Sequence, residues 1–104
     1  MKASYLRFYM HESRKHGSAV LYEWLLQKGK GLGLQGGSAF RAIAGFGRHG
    51  VLHEQHFYEL AGDLAVEVEF IVTGEQEREL LALLRAEKVR LVYAKVPAEF
   101  GETA

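Results

Sequence analysis

Residues 63–73 alternate strictly between apolar and polar side chains, and this segment constrains the fold most directly. One side of the alternation carries Val66, Val68, Phe70 and Val72, and the other carries Glu67, Glu69 and Ile71. A period of two residues is that of a β-strand with one face against a hydrophobic core. The segment therefore predicts a half-buried strand, the third in chain order.

Three further segments predict strands by the same criterion, at residues 5–10, about 38–46 and 90–96. The core side of the first two is assigned to Leu6, Phe8, Met10, Phe40, Ala42, Ala44 and Phe46. Pro97 lacks the N–H that a central ladder needs, so it predicts the end of the fourth strand. Residues 98–104 are then expected to be a flexible C-terminal tail.

Two segments carry an apolar stripe at helical spacing. After a predicted N-cap at Ser18, the first places Leu21, Trp24 and Leu25 on one face, and the glycines within residues 29–33 end it. The second follows Gly74, has acidic residues in its first turn, and is leucine-rich thereafter. Both segments predict amphipathic helices packed on the sheet.

The order of elements is βαββαβ, which predicts an α+β ferredoxin-like plait: a four-stranded antiparallel sheet with two helices on one face. The 104 residues suffice for one domain, placed at residues 1–97. The opposite sheet face is predicted to carry Tyr5, Arg7, Tyr9, Arg41, Ile43, Glu67, Glu69, Leu91, Tyr93 and Lys95. Tyrosines, aliphatic side chains and opposite charges together indicate an interface in which the arginines pair with the glutamates, and hence a homo-oligomer. The alternative is a monomer in which one face of the sheet is exposed to solvent.

Composition excludes several classes of protein. Thirteen basic and 13 acidic residues give a formal net charge of zero, which disfavours general binding to nucleic acid or anionic membranes. The absence of cysteine excludes disulfides, thiolate metal sites and a cysteine nucleophile, and it fits a cytoplasmic protein. No apolar run approaches the ~20 residues of a membrane helix, and no signal peptide is recognisable, so no membrane insertion is expected.

The segment after the second strand is the first candidate binding site. Gly45, Phe46 and Gly47 combine glycines, which let backbone approach a ligand, with an aromatic ring, and Arg48 and His49 add donors suited to phosphate. The long connection that follows, to Gly62, has weak periodicity, as functional loops do. The alternative is a flexible strand exit with solvated charges.

Three histidines in this connection offer a different chemistry. His49, His53 and His56 follow one another at spacings of four and three, which on a helix would align their imidazoles for a metal ion. Surface histidines in a loop are the alternative.

Glu12 and His16 are close enough in sequence for an acid–base pair, although such pairs commonly stabilise a turn. No serine lies in a nucleophile elbow, so we expect no catalytic residue, no enzymatic activity and no resident cofactor.

The chain resembles a known family in motifs that span residues 2–96. The matching features are Arg7, Glu12, His16-Gly17, Gly33-Leu34-Gln35-Gly36, the segment RAIAGFG at residues 41–47, His53, Leu60, and Asp63-Leu64 ahead of a strand carrying Glu69. They are similar to the PII-like family catalogued as domain of unknown function 190, and the RxIxGFG segment followed by a histidine is the most specific of them.

This resemblance implies a homotrimeric signalling protein whose sheets face inward. It also implies that an adenine nucleotide binds in clefts between subunits, and that the loop after strand two engages a partner such as a membrane transporter or channel. The ligand-binding residues implied by the resemblance are Gly45, Phe46, Gly47, Arg48, His53, Lys88 and Arg90. Residues 86–90 depart from true PII proteins because they contain no glycine.

Overall fold

The computed structural model of the protein describes residues 2–45 and 64–104. Its elements are β1 (Lys2–His11), β2 (Lys15–His16), β3 (Ala19–Val20), α1 (Leu21–Gly31), β4 (Gly37–Arg41), β5 (Ala65–Val72), α2 (Gly74–Ala86) and β6 (Val92–Glu99). Four strands form one antiparallel sheet in the order β4-β5-β1-β6, and β2 pairs with β3 in a small separate hairpin. The predicted α+β plait with its four-stranded antiparallel sheet is confirmed.

The hydrophobic core lies between one face of the sheet and both helices. Its buried side chains are Leu6, Phe8, Met10, Leu21, Leu25, Val66, Val68, Phe70, Val72, Leu80 and Leu84. The alternation in β1 and β5 therefore has the predicted phase, with every second residue in the core. We call the other side of the sheet, which neither helix covers, the open face.

The two helices begin differently. Helix α2 has a capping box, in which the Thr73 hydroxyl accepts from the backbone N–H of Gln76 at 3.2 Å and the Gln76 side chain accepts from the Thr73 N–H at 2.9 Å. Helix α1 has no side-chain cap, because the chain stays extended through Val20, and the Leu21 N–H donates to the carbonyl of Arg14 at 2.7 Å. The predicted N-cap at Ser18 is therefore wrong.

Strand β4 has the opposite phase to the predicted one. Phe40 lies opposite Glu67 on the open face, whereas Arg41 lies opposite Val66 on the helix side. The reason is Gly37, which faces the Phe70 ring so closely that a Cβ there would lie 2.7 Å from the ring. This contact assigns Gly37 and every second residue after it to the helix side. The strand also ends at Arg41 rather than near residue 46.

Strand β6 is likewise shifted by one residue relative to the prediction. Val92, Ala94 and Val96 lie on the open face, and Tyr93 and Lys95 lie on the helix side. The alternation in this segment did not show which residues face the helices. Valine is favoured in strands whether or not it is in the core, so Val92 and Val96 resembled core residues.

The end of β6 also differs from the prediction. The strand continues to Glu99, and Pro97 pairs with Ser4 within it. Because β6 is an edge strand, a proline can sit where its missing N–H would have pointed away from the sheet. The predicted strand end at Pro97 is therefore wrong.

Candidate functional site

The open face combines exposed apolar side chains with a central group of charges. Tyr9, Phe40, Val92 and Val96 remain 41%, 52%, 50% and 40% exposed. Among them, the Arg7 Nε lies 3.5 Å from a Glu69 carboxylate oxygen and 4.0 Å from one of Glu67. The predicted pairing of Arg7 with these glutamates is confirmed.

At this centre the Arg7 guanidinium lies close to the carboxylates of both Glu67 and Glu69. Burial raises the pKa of Glu69 above its ordinary value, and the neighbouring Glu67 acts in the same direction while Arg7 opposes both. Burial, followed by the charge of Glu67, also raises the pKa of Tyr9. Both shifts favour the protonated forms of Glu69 and Tyr9, as expected where a charge is partly desolvated.

Arg41 does not join this group, so its predicted pairing with Glu67 and Glu69 is wrong. On the helix side its Nε and Nη2 donate to the two carboxylate oxygens of Glu12, at 2.6 and 2.8 Å. This bidentate hydrogen bond raises the pKa of Arg41 above its ordinary value. The backbone N–H of Glu12 also donates to the carbonyl of Leu64 at 2.7 Å. Glu12 therefore contacts the chain just before and just after the segment that holds most of the predicted site residues.

The predicted ligand-binding residues fall into two groups. Gly45 is exposed and lies shortly after β4, while Phe46, Gly47, Arg48 and His53 lie outside the described residues. His49 and His56, the other members of the alternative metal site, also lie outside them. Within residues 2–45 and 64–104, no cluster of three metal-ligating side chains occurs.

Lys88 and Arg90 line a groove between α2 and β6. The groove has a volume of about 390 Å³ and is lined by Phe8, Leu81, Leu84, Arg85, Lys88, Val89, Arg90, Leu91 and Tyr93. Arg14 fixes the chain here by donating from Nη2 to the Arg90 carbonyl at 2.8 Å. Sequence reasoning missed Arg85, which lies in the last turn of α2, just before Lys88.

Among the described residues, Gly45 is not brought together with Lys88 and Arg90 within one chain. Lys88 and Arg90 precede β6, whereas Gly45 follows β4, and these strands form opposite edges of the sheet. Strands β5 and β1 lie between them, so the edges are separated by about 14 Å, or three strand spacings. Gly45, Lys88 and Arg90 nevertheless lie at the same end of the sheet, because the end of β4 and the start of β6 flank the end of β1.

The alternative acid–base pair is also not formed. Glu12 binds Arg41, and His16 instead contacts Glu87, with its Nε2 3.0 Å from a carboxylate oxygen. The His16 ring packs 4.5 Å from the ring of Trp24. These contacts tie the β2–β3 hairpin to the C-terminal end of α2 and to α1, which is a structural role.

The fold and these surfaces define a small α+β protein in which two helices cover one face of a four-stranded antiparallel sheet. Residues 3–92 match the DUF190 family, described as "Uncharacterized ACR, COG1993", and the chain belongs to this family. It is also 30% identical over 101 residues to the "UPF0166 protein" of Aquifex aeolicus (strain VF5), a match that covers 89% of this chain and 96% of that protein. The predicted family is confirmed, while its PII-like relationship stays a prediction.

Proposed function

We propose that this protein is a PII-like, non-enzymatic regulator that works as a homotrimer in the cytoplasm. In this proposal an adenine nucleotide binds at the clefts between subunits, and the loop after β4 passes the signal to a partner such as a membrane transporter or channel. No cofactor, nucleic acid or direct membrane insertion is involved. In the described residues, no helix has the length and apolar character needed to cross a membrane.

The open face is the observation that carries the proposal. Its four large apolar side chains are each about half exposed, and they surround charges that are already partly desolvated. Completing the burial of one such side chain contributes about 1 kcal/mol, roughly half of the value for full burial. A second copy of the same face supplies matching apolar surface, as in symmetric oligomers.

The separation of the predicted ligand residues supports a site shared between subunits. Lys88 and Arg90 lie at one edge of the sheet, and Gly45 lies at the other. In this proposal a neighbouring subunit brings its Gly45 edge to the Lys88 and Arg90 edge of the first subunit across a cleft. Arginine and lysine side chains suit the phosphates of a nucleotide.

Molar mass by light scattering tests the oligomer, with the variant Val96→Lys as the perturbation. A new cation in a buried interface costs several kcal/mol, so we expect a trimer for the wild type and loss of the trimer for the variant. Gln27→Lys is the matched control, because it adds the same charge at an exposed position on α1. A monomeric wild type, or a V96K trimer as stable as the control, would refute the interface.

Thermal melting with ATP, ADP or AMP tests the ligand. A nucleotide that binds only the native state stabilises it by about 2.7 kcal/mol at a hundredfold excess over Kd. We expect one of the three to raise the melting temperature of the wild type, and Arg90→Ala to reduce that rise. If no nucleotide changes the melting temperature, the proposed nucleotide site is wrong.

A further inference from the structure

The groove between α2 and β6 has a charged rim and an apolar floor. Its cationic side chains, Arg85, Lys88 and Arg90, are all exposed. Within the part of the chain that the structure describes, none of the three forms an ion pair, whereas Arg7, His16, Arg41 and Lys95 each contact a carboxylate. No carboxylate of residues 2–45 or 64–104 therefore competes with an external anion for these three cations.

The floor and walls of the groove are apolar. Phe8 lies beneath the groove and is fully buried, and the Tyr93 ring, which lies 5.7 Å from it centre to centre, forms the exposed surface of the floor. Leu81 and Leu91 flank them and are only partly buried. Helix α2 packs on β1 and β5 and leaves the adjoining part of β6 uncovered, which is why Tyr93 stays 43% exposed. This geometry fits a flat apolar group.

The backbone N–H groups at the C-terminal end of α2 are used within the chain. The N–H of Lys88 donates to the Arg85 carbonyl at 3.1 Å, and the N–H of Val89 donates to the Leu84 carbonyl at 2.9 Å. Lys88 adopts a left-handed conformation, with φ of 58°, to make this helix end. A glycine-rich phosphate loop presents a row of free amides, but here the amides of Glu87, Lys88 and Val89 are used internally. Exposed side chains, rather than such a row of amides, are therefore the groups that can hold an anion here.

From these contacts we infer that the groove binds an amphiphilic anion, namely a flat aromatic body that carries one compact phosphate or carboxylate. The anionic group lies against Lys88 and Arg90, and the aromatic body lies on Tyr93 beside Leu81 and Leu91. Because the site lacks a row of free amides like that of a phosphate loop, one compact charge suits it better than an extended polyphosphate. The inference rests on the proposed function only in sharing Lys88 and Arg90, since the groove belongs to a single chain and needs no second copy.

Calorimetric titration with 1-naphthyl phosphate tests the inference. Inorganic phosphate and 1-naphthol, which are the two halves of this probe, serve as comparison ligands. We expect the complete probe to bind at least tenfold more tightly than either half, and its affinity to fall with added salt, since exposed charge contacts are screened. Either half binding as tightly as the complete probe would overturn the inference.

The double variant K88G/R90A removes both cations without breaking the fold. Glycine accepts the left-handed conformation at position 88 without strain, and Arg14 contacts only the backbone carbonyl at position 90. We expect about tenfold weaker binding of 1-naphthyl phosphate, which is the loss of two exposed charge contacts. The control K2A/K30A removes the same charge from two exposed positions outside the groove and should bind as the wild type does. Equal affinities of K88G/R90A and the control would overturn the inference.

Tyr93→Ser tests the apolar floor separately from the charge. The variant should bind 1-naphthyl phosphate several-fold more weakly while its affinity for inorganic phosphate stays unchanged. A monomer that ignores all nucleotides but binds 1-naphthyl phosphate through Lys88 and Arg90 would refute the proposed function and keep the groove. A nucleotide-binding trimer that does not bind 1-naphthyl phosphate would support the proposed function and refute the groove as a binding site.

Discussion

Gly29, the buried glycine of helix α1, gives a sharp test of how the helix packs on the sheet. It faces the ring of Phe70, and a Cβ added there would lie 2.9 Å from the ring Cζ and closer still to Cε1. Phe70 cannot retreat easily, because it is 2% exposed and its ring packs edge-on against Phe8 at 6.2 Å. A methyl group at position 29 would therefore have to displace a well-packed aromatic side chain.

Two opposing terms decide the stability of Gly29→Ala. Alanine improves the helix propensity by about 1 kcal/mol, while overpacking a core typically costs about 1–3 kcal/mol. We expect overpacking to dominate and to destabilise the variant by about 1 kcal/mol. Gly31→Ala, at the end of the same helix, meets open space and should be neutral or stabilising. The two alanine variants should differ by about 1–3 kcal/mol.

Urea unfolding at fixed protein concentration measures this difference through the midpoint and the slope m. A shift of 1 kcal/mol corresponds to about 5 °C in Tm for a domain of this size. Phe70→Leu supplies the second side of a double-mutant cycle, because a smaller side chain makes room for the methyl group and should reduce the cost of G29A. G29A as stable as G31A, or additive effects of G29A and F70L, would refute the reasoning.

Two further predictions concern α2 and the open face. Thr73→Ala removes the capping box and should lower the free energy of unfolding by about 1 kcal/mol, whereas Thr103→Ala beyond β6 should leave it unchanged in the same urea assay. Because the pKa of Glu69 is raised in the folded state, its protonated form contributes stability at acid pH that is lost as pH rises through that pKa. Glu69→Gln should therefore gain stability relative to the wild type between acid and neutral pH, and a pH-independent difference in unfolding free energy would contradict this.

The sequence predicted the fold better than it predicted the site. The alternation of apolar and polar residues in β1 and β5 predicted both strands and their core faces correctly. In these central strands, successive residues meet the core and the open face in turn, so the sequence alternates clearly. Thr73 was not singled out as a cap, although its hydroxyl three residues before Gln76 is the pattern of a capping box. Of the seven predicted ligand residues, Gly45, Lys88 and Arg90 lie in the described part of the chain, and tertiary structure divides them between opposite edges of the sheet.

The charge pairs show the same division of information. Arg7 was correctly paired with Glu67 and Glu69, since β1 and β5 lie side by side and their phases were known. Arg41 was not, because its partner Glu12 is 29 residues away and contacts it only after β4 takes its place at the sheet edge. Sequence distance carries no information about such a contact.

The sequence by itself determined the order of the four sheet strands and two helices, and hence the βαββαβ plait, because hydrophobic periodicity is a local property. It did not predict the short β2–β3 hairpin. Tertiary structure decided which side of β4 and β6 faces the helices. An alternating pattern shows that a strand has two different faces, but it does not show which face meets the core. An edge strand has few neighbours, so its composition does not decide between the two faces. The contact of Gly37 with Phe70 fixes the orientation of β4, and the contact of Tyr93 with Phe8 fixes that of β6. Those contacts also placed Phe40, Val92 and Val96 on the open face.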